Sequence, residues 1–406
     1  MASQPHDTSR HDNTLAVIRS LREHGPAARV DLGLLNGISS ATVTSISTDL
    51  LKLGLISELP PDTTRPSGRG RPKTLIRLAP EAACVICVKL SINELQLVVG
   101  DYSGHVQHSE HHSVATLALT PEDLVTLLVE KIAAVRAKAL ASHRRLVGIC
   151  LAVQGVVSSH SGTLIWSPAL GFRNTPLAPP LAERFGCPVL LENDANCIAS
   201  VLATKPAYAG YPNLAVIMLG YGIGMSVMID GVPFLGANGS AAEFGHSKYQ
   251  PGGAQCACGK RGCIEAYASD YALYREAREV LELPAGDSAH PSEAQMQALT
   301  QLAMQGEANA QRIFNEAGRA LGYGMANLLA LFNPDLVLVT GSGVRGYAAM
   351  QEAMQDAIDE ALVSELIGPT RIVSCPWDRD MTCLGGIAIT LQASDSPLLT
   401  GRSDDL

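Results

Sequence analysis

Residues 256–263 read CACGKRGC: three cysteines, Cys256, Cys258 and Cys263, among two glycines and two cations. Residues 1–20 carry Asp7, Arg10, His11 and Asp12 where an export signal needs an apolar run, and no 18 uncharged apolar residues follow one another anywhere in the chain. The expected address is cytoplasmic, with no membrane partner. There the ten cysteines stay reduced, and so tight a cluster reads as a metal site before it reads as a disulfide framework.

Around that cluster lies a chain of 406 residues, 47% hydrophobic and 17% charged, enough for two or three cores. Charge is uneven. Residues 1–80 hold ten Lys/Arg against seven Asp/Glu, whereas the whole chain is −9, so a mildly basic head sits on an acidic body. In the head, Asn13 is the expected cap of a helix carrying Leu15, Val17, Ile18 and Leu21 up to Gly25-Pro26. A short helix ends at Gly37. Ser39 or Ser40 then caps a third, whose Val43, Ile46, Leu50 and Leu53 share one face up to Gly54. Its opposite face offers Ser40, Thr42, Ser45 and Thr48. Leu55–Ser57 and Thr74–Leu78 read as a hairpin whose tip holds Gly68-Arg69-Gly70-Arg71-Pro72. This is a winged helix-turn-helix, with Ser39, Ser40, Thr42 and Ser45 as expected DNA contacts. Arg69 and Arg71 suit a narrow A·T-rich minor groove; the competing reading of that run is a flexible linker.

From residue 84 short β-branched runs ending in glycine alternate with helical stretches such as 121–142 and 303–332. The fold class is α/β, two-lobed, with ligands at strand C-termini. Residues 282–300 read as a loop insertion, and the tail after about 393 is expected to be disordered.

Three stretches in this order resemble the ROK family of bacterial sugar-responsive repressors and sugar kinases. They are Leu191-Glu192-Asn193-Asp194-Ala195-Asn196, Ala242-Glu243-Phe244-Gly245-His246 and the cysteine cluster running on to Glu265; Leu170–Asn174 is a weaker match. The resemblance implies an actin-like body behind the head, with domains 1–80, 81–200 completed by 384–406, and 201–383. His246, Cys256, Cys258 and Cys263 offer one nitrogen and three sulfurs, a closed tetrahedral set suited to one structural zinc per chain with no open position for a reactive water. The resemblance further implies that Asn193, Asp194, Glu243, His246 and Glu265 hydrogen-bond a sugar.

Kinases of the family hold nucleotide phosphate on a DxGGT turn; here the matching residues are Lys89, Leu90, Ser91, Ile92 and Asn93. A lysine replaces the acid, and side chains fill the space where glycines admit phosphate. Gly220, Gly222 and Gly224 remain in a second loop, but Tyr221 stands between them, and Gly341-Ser342-Gly343 is only a weak adenosine-side turn. The implied function is a non-enzymatic, sugar-responsive transcriptional regulator. It would be a repressor bound as a homodimer or tetramer to a palindromic, A·T-rich double-stranded operator and released by a monosaccharide or its derivative. An ATP-dependent sugar kinase with a DNA-binding head is the alternative; a third reading gives control to a protein partner.

Overall fold

In the head, α1 (Pro5–His24), α2 (Arg29–Asn36) and α3 (Ser40–Leu53) pack on a small antiparallel sheet of β1 (Ala27–Ala28), β2 (Ile56–Glu58) and β3 (Leu75–Leu78), in the order β1-β3-β2. The computed structural model describes residues 5–59, 74–143, 145–281 and 290–400. Arg69 and Arg71, the expected wing-tip contacts, lie outside them. Helix α1 starts at Pro5 rather than at Asn13, for a proline is well suited to a first helical turn and the polar residues that follow find partners on α3 and α12. The other head boundaries follow their caps. The Ser39 hydroxyl accepts from the Thr42 amide at 3.2 Å, and Gly37 and Gly54 close α2 and α3 at φ of 64° and 68°. Val17, Ile18, Val43, Ile46 and Leu50 are buried together.

The body contains two five-stranded sheets of one topology. In the first, β4 (Cys84–Ser91), β5 (Glu94–Asp101) and β6 (Val106–Ser113) form an antiparallel meander. After α4 (Pro121–Ala139), β7 (Leu146–Val153) adds parallel to β4; a small sheet of β8 (Val156–Ser158), β9 (Thr163–Trp166) and β10 (Thr175–Pro176) follows. Then α5 (Ala178–Phe185) leads to β11 (Val189–Asn193), parallel to β7, and straight into α6 (Asp194–Thr204). The order is β11-β7-β4-β5-β6. Central β4 and β7 are almost wholly buried and read CVICVKLS and LVGICLAV, whereas edge strand β6 reads VQHSEHHS, a polar edge that discourages further pairing.

The second sheet repeats this as β14-β13-β12-β15-β16, from β12 (Leu214–Leu219), β13 (Ile223–Ile229), β14 (Val232–Pro233), β15 (Leu336–Thr340) and β16 (Arg371–Ser374). Its helices are α7 (Glu265–Ala268), α8 (Asp270–Val280), α9 (Glu293–Met304), α10 (Ala308–Phe332) and α11 (Tyr347–Ala361). Two sequence expectations fail here. Residues 293–300 belong to helix α9 rather than to a loop, because Ser292 and Gln295 form a capping box. The stretch 303–332 is broken at Gly306, whose φ of 90° separates α9 from α10.

The last helix, α12 (Met381–Thr400), returns to the first sheet and contradicts the expected disorder after 393. Its Asp395 is buried and takes both terminal nitrogens of Arg22 from α1 at 2.7 and 2.9 Å, plus the Tyr102 hydroxyl at 3.1 Å. Ser396 meets His11 at 2.9 Å. Helices α12 and α6 touch backbone to backbone, since a β-carbon at Gly385 would sit 1.8 Å from the Cys197 carbonyl oxygen. The head is thereby bolted to the helix that packs on α6.

Candidate functional site

A cleft of about 450 Å³ opens where β7 and β11 end, and Asn193, Asp194, Glu243, His246 and Glu265 all line it. Each is held by local geometry. Asn193 caps α6: its Oδ1 accepts from the Ala195 amide at 2.8 Å and its Nδ2 donates to the Gly155 carbonyl at 2.7 Å. Much of its hydrogen-bonding capacity is therefore spent on fixing the strand-to-helix junction. Asp194 begins the helix, its Oδ1 accepting from the same amide at 3.0 Å. Glu243 follows Ala242, a non-glycine residue at φ 71°, which turns the chain so that the carboxylate enters the cleft. Glu265 is buried. Its Oε2 accepts from the Ile223 amide at 3.2 Å, and its Oε1 from the Tyr271 hydroxyl and the Cys256 thiol, each at 3.3 Å.

Burial in this partly enclosed space raises the proton affinity of the Asp194 and Glu243 carboxylates. Burial lifts Asp194 to about 6, against the opposing pull of the Lys89 cation and the Ala195 amide. Burial, then the charges of Asp194 and Glu265, lifts Glu243 to about 7. These groups accept hydrogen bonds readily, and near neutral pH they donate them as well, the property a polyhydroxylated ligand requires of its site.

Ligand atoms of His246, Cys256, Cys258 and Cys263 all lie within 4.8 Å of one another. The His246 Nδ1 to Cys256 Sγ distance is 3.7 Å, and Cys258 to Cys263 is 3.9 Å between sulfurs. Zn–S bonds of about 2.3 Å at tetrahedral angles put neighbouring donors about 3.8 Å apart, so the donor set fits a tetrahedral metal ion. Burial and the Glu265 carboxylate push the Cys256 thiol far up, a cost that a divalent cation reverses by stabilising thiolate. The Lys248 ammonium, 3.0 Å from Cys263 Sγ, adds positive charge. With Nδ1 facing the thiols, the Nε2 of His246 looks toward Glu243, 4.0 Å away, and its ring meets Trp166 edge-on at 5.5 Å.

Trp166 and Gln154 also line this cleft and were not foreseen. An aromatic face suits the apolar face of a sugar ring, but nothing in the spacing around Trp166 marks it, because β9 brings it to the cleft from across the fold.

The two glycine-type turns differ. Lys89–Asn93 forms a tight hairpin in which Ser91 pairs with Glu94. Asn93 sits at φ 56° with its amide already donating to Thr116 Oγ1 at 3.0 Å. In the second turn Tyr221 stacks on His290 at 5.2 Å and packs against Tyr271 at 5.6 Å. Behind it Arg345 donates to the Ser342 carbonyl and pairs with Asp270, filling the neighbourhood of the third turn.

On α3, Ser40 and Ser45 are exposed and Thr42 is half-buried. Ser39 is occupied as the helix cap, with the Thr42 hydroxyl 2.8 Å from its own. Among the described residues no helix is long and apolar enough to cross a membrane.

Proteins named as transcriptional repressors and regulators are similar to the chain. The chain is 26% identical over 340 residues to the xylose repressor of Caldicellulosiruptor bescii, 82% of this chain and 84% of that one. To the DNA-binding transcriptional dual regulator NagC of Escherichia coli it is 25% identical over 387 residues, 95% and 94% of the two chains. Among solved structures, a ROK family transcriptional regulator described as a homolog of the E. coli MLC protein superposes with a TM-score of 0.79 over 97% of this chain and 98% of that one, at 23% identity, a likeness of fold. A ROK family glucokinase from Streptomyces griseus, in complex with glucose and AMPPNP, covers 75% of this chain and 98% of its own, at 26% identity and a TM-score of 0.59. Residues 85–393 match the ROK family model, and with the cleft, the His-Cys cluster and the paired sheets in place, the chain belongs to the ROK family.

Proposed function

We propose that the chain is a sugar-responsive DNA-binding transcriptional regulator, a repressor released when a monosaccharide or its derivative occupies the cleft between the lobes. One observation carries the reading. Asn193, Asp194, Glu243, His246 and Glu265 converge on a single cleft, while the adjoining turn offers a nucleotide a lysine where an acid would help hold its metal and an Asn93 amide already taken by Thr116. Phosphoryl transfer depends on positioning phosphate and neutralising its charge, so this chain would grip a sugar without transferring phosphate to it. Asp194 then serves as a sugar ligand and not as a base.

In this reading the units are residues 1–80, 81–200 with 384–406, and 201–383. His246, Cys256, Cys258 and Cys263 hold one zinc ion, which supplies a structural clip: it orders the loop bearing Ala257 and fixes the ring of His246 so that Nε2 faces the ligand. Ser39, Ser40, Thr42, Ser45, Arg69 and Arg71 face the operator, a palindromic, A·T-rich duplex, and the protein works in the cytoplasm as a homodimer or tetramer.

Coupling follows from the connections. Asp194 starts α6, α6 lies against α12 at Gly385, and α12 holds α1 through Asp395 and Arg22. On the far side of α6 a wide groove separates α1, at Arg19, Glu23 and His24, from Val232 and Pro233 of the second lobe. The head thus rides with the first lobe, and a ligand that draws the lobes together changes that groove and the angle between two heads. A differential affinity of about 1–3 kcal/mol between the two states shifts DNA occupancy by about 5–150-fold.

The test is an electrophoretic shift on the DNA upstream of the protein's own gene, repeated with a panel of monosaccharides and their phosphates, beside an ATP-coupled phosphorylation assay. One sugar should release the duplex with no ATP consumed. Turnover of ATP with any hexose would establish the kinase alternative instead.

A further inference from the structure

Helix α3 is short of free donors on the face it would turn to a duplex. Ser39 and Thr42 are engaged with each other, and the hydroxyls of Thr44 and Thr48 donate to the carbonyls of Ser40 and Thr44 at 2.8 and 2.9 Å. Its one cation, Lys52, lies in the last turn. Yet charge-assisted contacts from arginine and lysine supply most of the affinity of a protein for DNA.

A cation does reach this face from another helix. Arg10 of α1 crosses to α3, where its Nη2 donates to Ser45 Oγ at 2.9 Å and to Asp49 Oδ2 at 2.6 Å. Both members of the ion pair stay about half exposed, at 50% and 52%. Both bonds come from Nη2, and Nη1 and Nε make no hydrogen bond among the described residues, so one nitrogen of the half-exposed guanidinium is held and the others keep their protons for a further partner.

We propose that Arg10 is the principal cation of the recognition surface, lent to α3 by α1, and that Asp49 is its tether. The tether aims the planar fork across the middle of α3, and the unpaired Nη1 donates to a phosphate oxygen or to the O6 or N7 acceptor of a guanine. This rests on the DNA-binding reading above and adds to it the residue that supplies the charge missing from α3.

The experiment uses the full-length protein and a duplex enriched by the wild type from a random-sequence pool. Affinity is measured by fluorescence anisotropy across a salt series for Arg10→Gln, Arg10→Lys, Asp49→Asn, the double variant and Arg19→Gln, which removes an equal charge from α1 at the head-body groove. Arg10→Gln should weaken binding by about 5–150-fold and flatten the slope of log K against log salt by about one unit. Arg19→Gln should leave the slope unchanged. Asp49→Asn should weaken binding in the parent, where the fork loses its aim, and should not weaken it in the Arg10→Gln background, where only a repelling charge is removed. Arg10→Lys, which keeps the charge that an unstable Arg10→Gln chain would leave unread, separates the targets: near-parental affinity marks phosphate, and loss of preference at one base pair marks guanine. Parental affinity and slope in Arg10→Gln would overturn the proposal while the DNA reading stood. A wild type that enriches no duplex would remove both.

Discussion

The two body sheets have the same strand order, and each begins with a hairpin between its first two strands, yet the two hairpins have become different objects. In the first sheet the turn 92–93 is closed on itself: Ser91 pairs with Glu94, and Thr116 caps the Asn93 amide. In the second, Leu219 pairs with Ile223 across Gly220, Tyr221 and Gly222, and a β-carbon on Gly222 would lie 2.9 Å from Glu265 Oε2. The second hairpin keeps its glycine because a buried carboxylate needs the space. The turn of the first has no such neighbour and carries side chains at Ile92 and Asn93.

The sharpest break in the comparison is metal removal. Tyr271, which donates to Glu265, itself accepts from the Ala257 amide of the metal loop, so stripping the metal, or Cys263→Ser, should loosen the second hairpin and leave the first intact. Structural zinc contributes on the order of 10 kcal/mol in small domains. We expect one zinc per chain by elemental analysis, loss of sugar binding on chelation, and amide exchange accelerated at 220–223 but not at 91–94. Equal acceleration in both would erase the contrast.

Asp194 lies under the influence of both lobes, with Lys89 opposing and burial favouring its proton. Its folded value of about 6 exceeds the ordinary 3.8, so the ligand-free protein binds this proton more tightly than the unfolded chain does and loses stability as pH rises from about 4 to 6. Asp194→Asn should therefore stabilise the ligand-free protein at pH 7.5 by at most about 3 kcal/mol, with no gain at pH 4, and should abolish sugar binding. Sugar affinity of the parent should fall as pH drops below 6. Calorimetry and thermal melts at the two pH values check both signs.

Next in size, Gly222→Ala forces Glu265 or the hairpin aside at about 1–3 kcal/mol and should weaken sugar binding about tenfold, read by titration calorimetry. Asn93→Gly, in the turn of the first hairpin, should leave sugar affinity unaltered. The smallest effect is Thr116→Val, which removes the partner of the Asn93 amide and should cost about 1 kcal/mol in chemical denaturation without conferring ATP hydrolysis.

What could be read in advance followed from local rules. Ser39 with Gly54 bounded α3, and His246 with three cysteines formed a ligand set, because caps and metal ligands are specified by residue type and short spacing. Where the reading failed, a distant partner decided. Residues after 393 looked like a tail until Asp395 was seen to hold Arg22. Residues 293–300 read as loop, although Ser292 and Gln295 carry the capping box of α9 within the chain itself. Trp166 and Gln154, at the base of the β8–β9 hairpin, meet Glu243 and Glu265 from far upstream in the chain, and Asn193 serves as the cap of α6.

The α/β class, the helix-turn-helix head and the His-Cys ligand set are legible in residue order, since each depends on patterns within a few turns of chain. That Arg10 covers α3, that Thr116 closes the first hairpin and that α12 fastens the head emerges from long-range contacts alone. Those contacts join residues tens to hundreds of positions apart, and a hydrogen bond or ion pair leaves no periodic trace in the segments it connects.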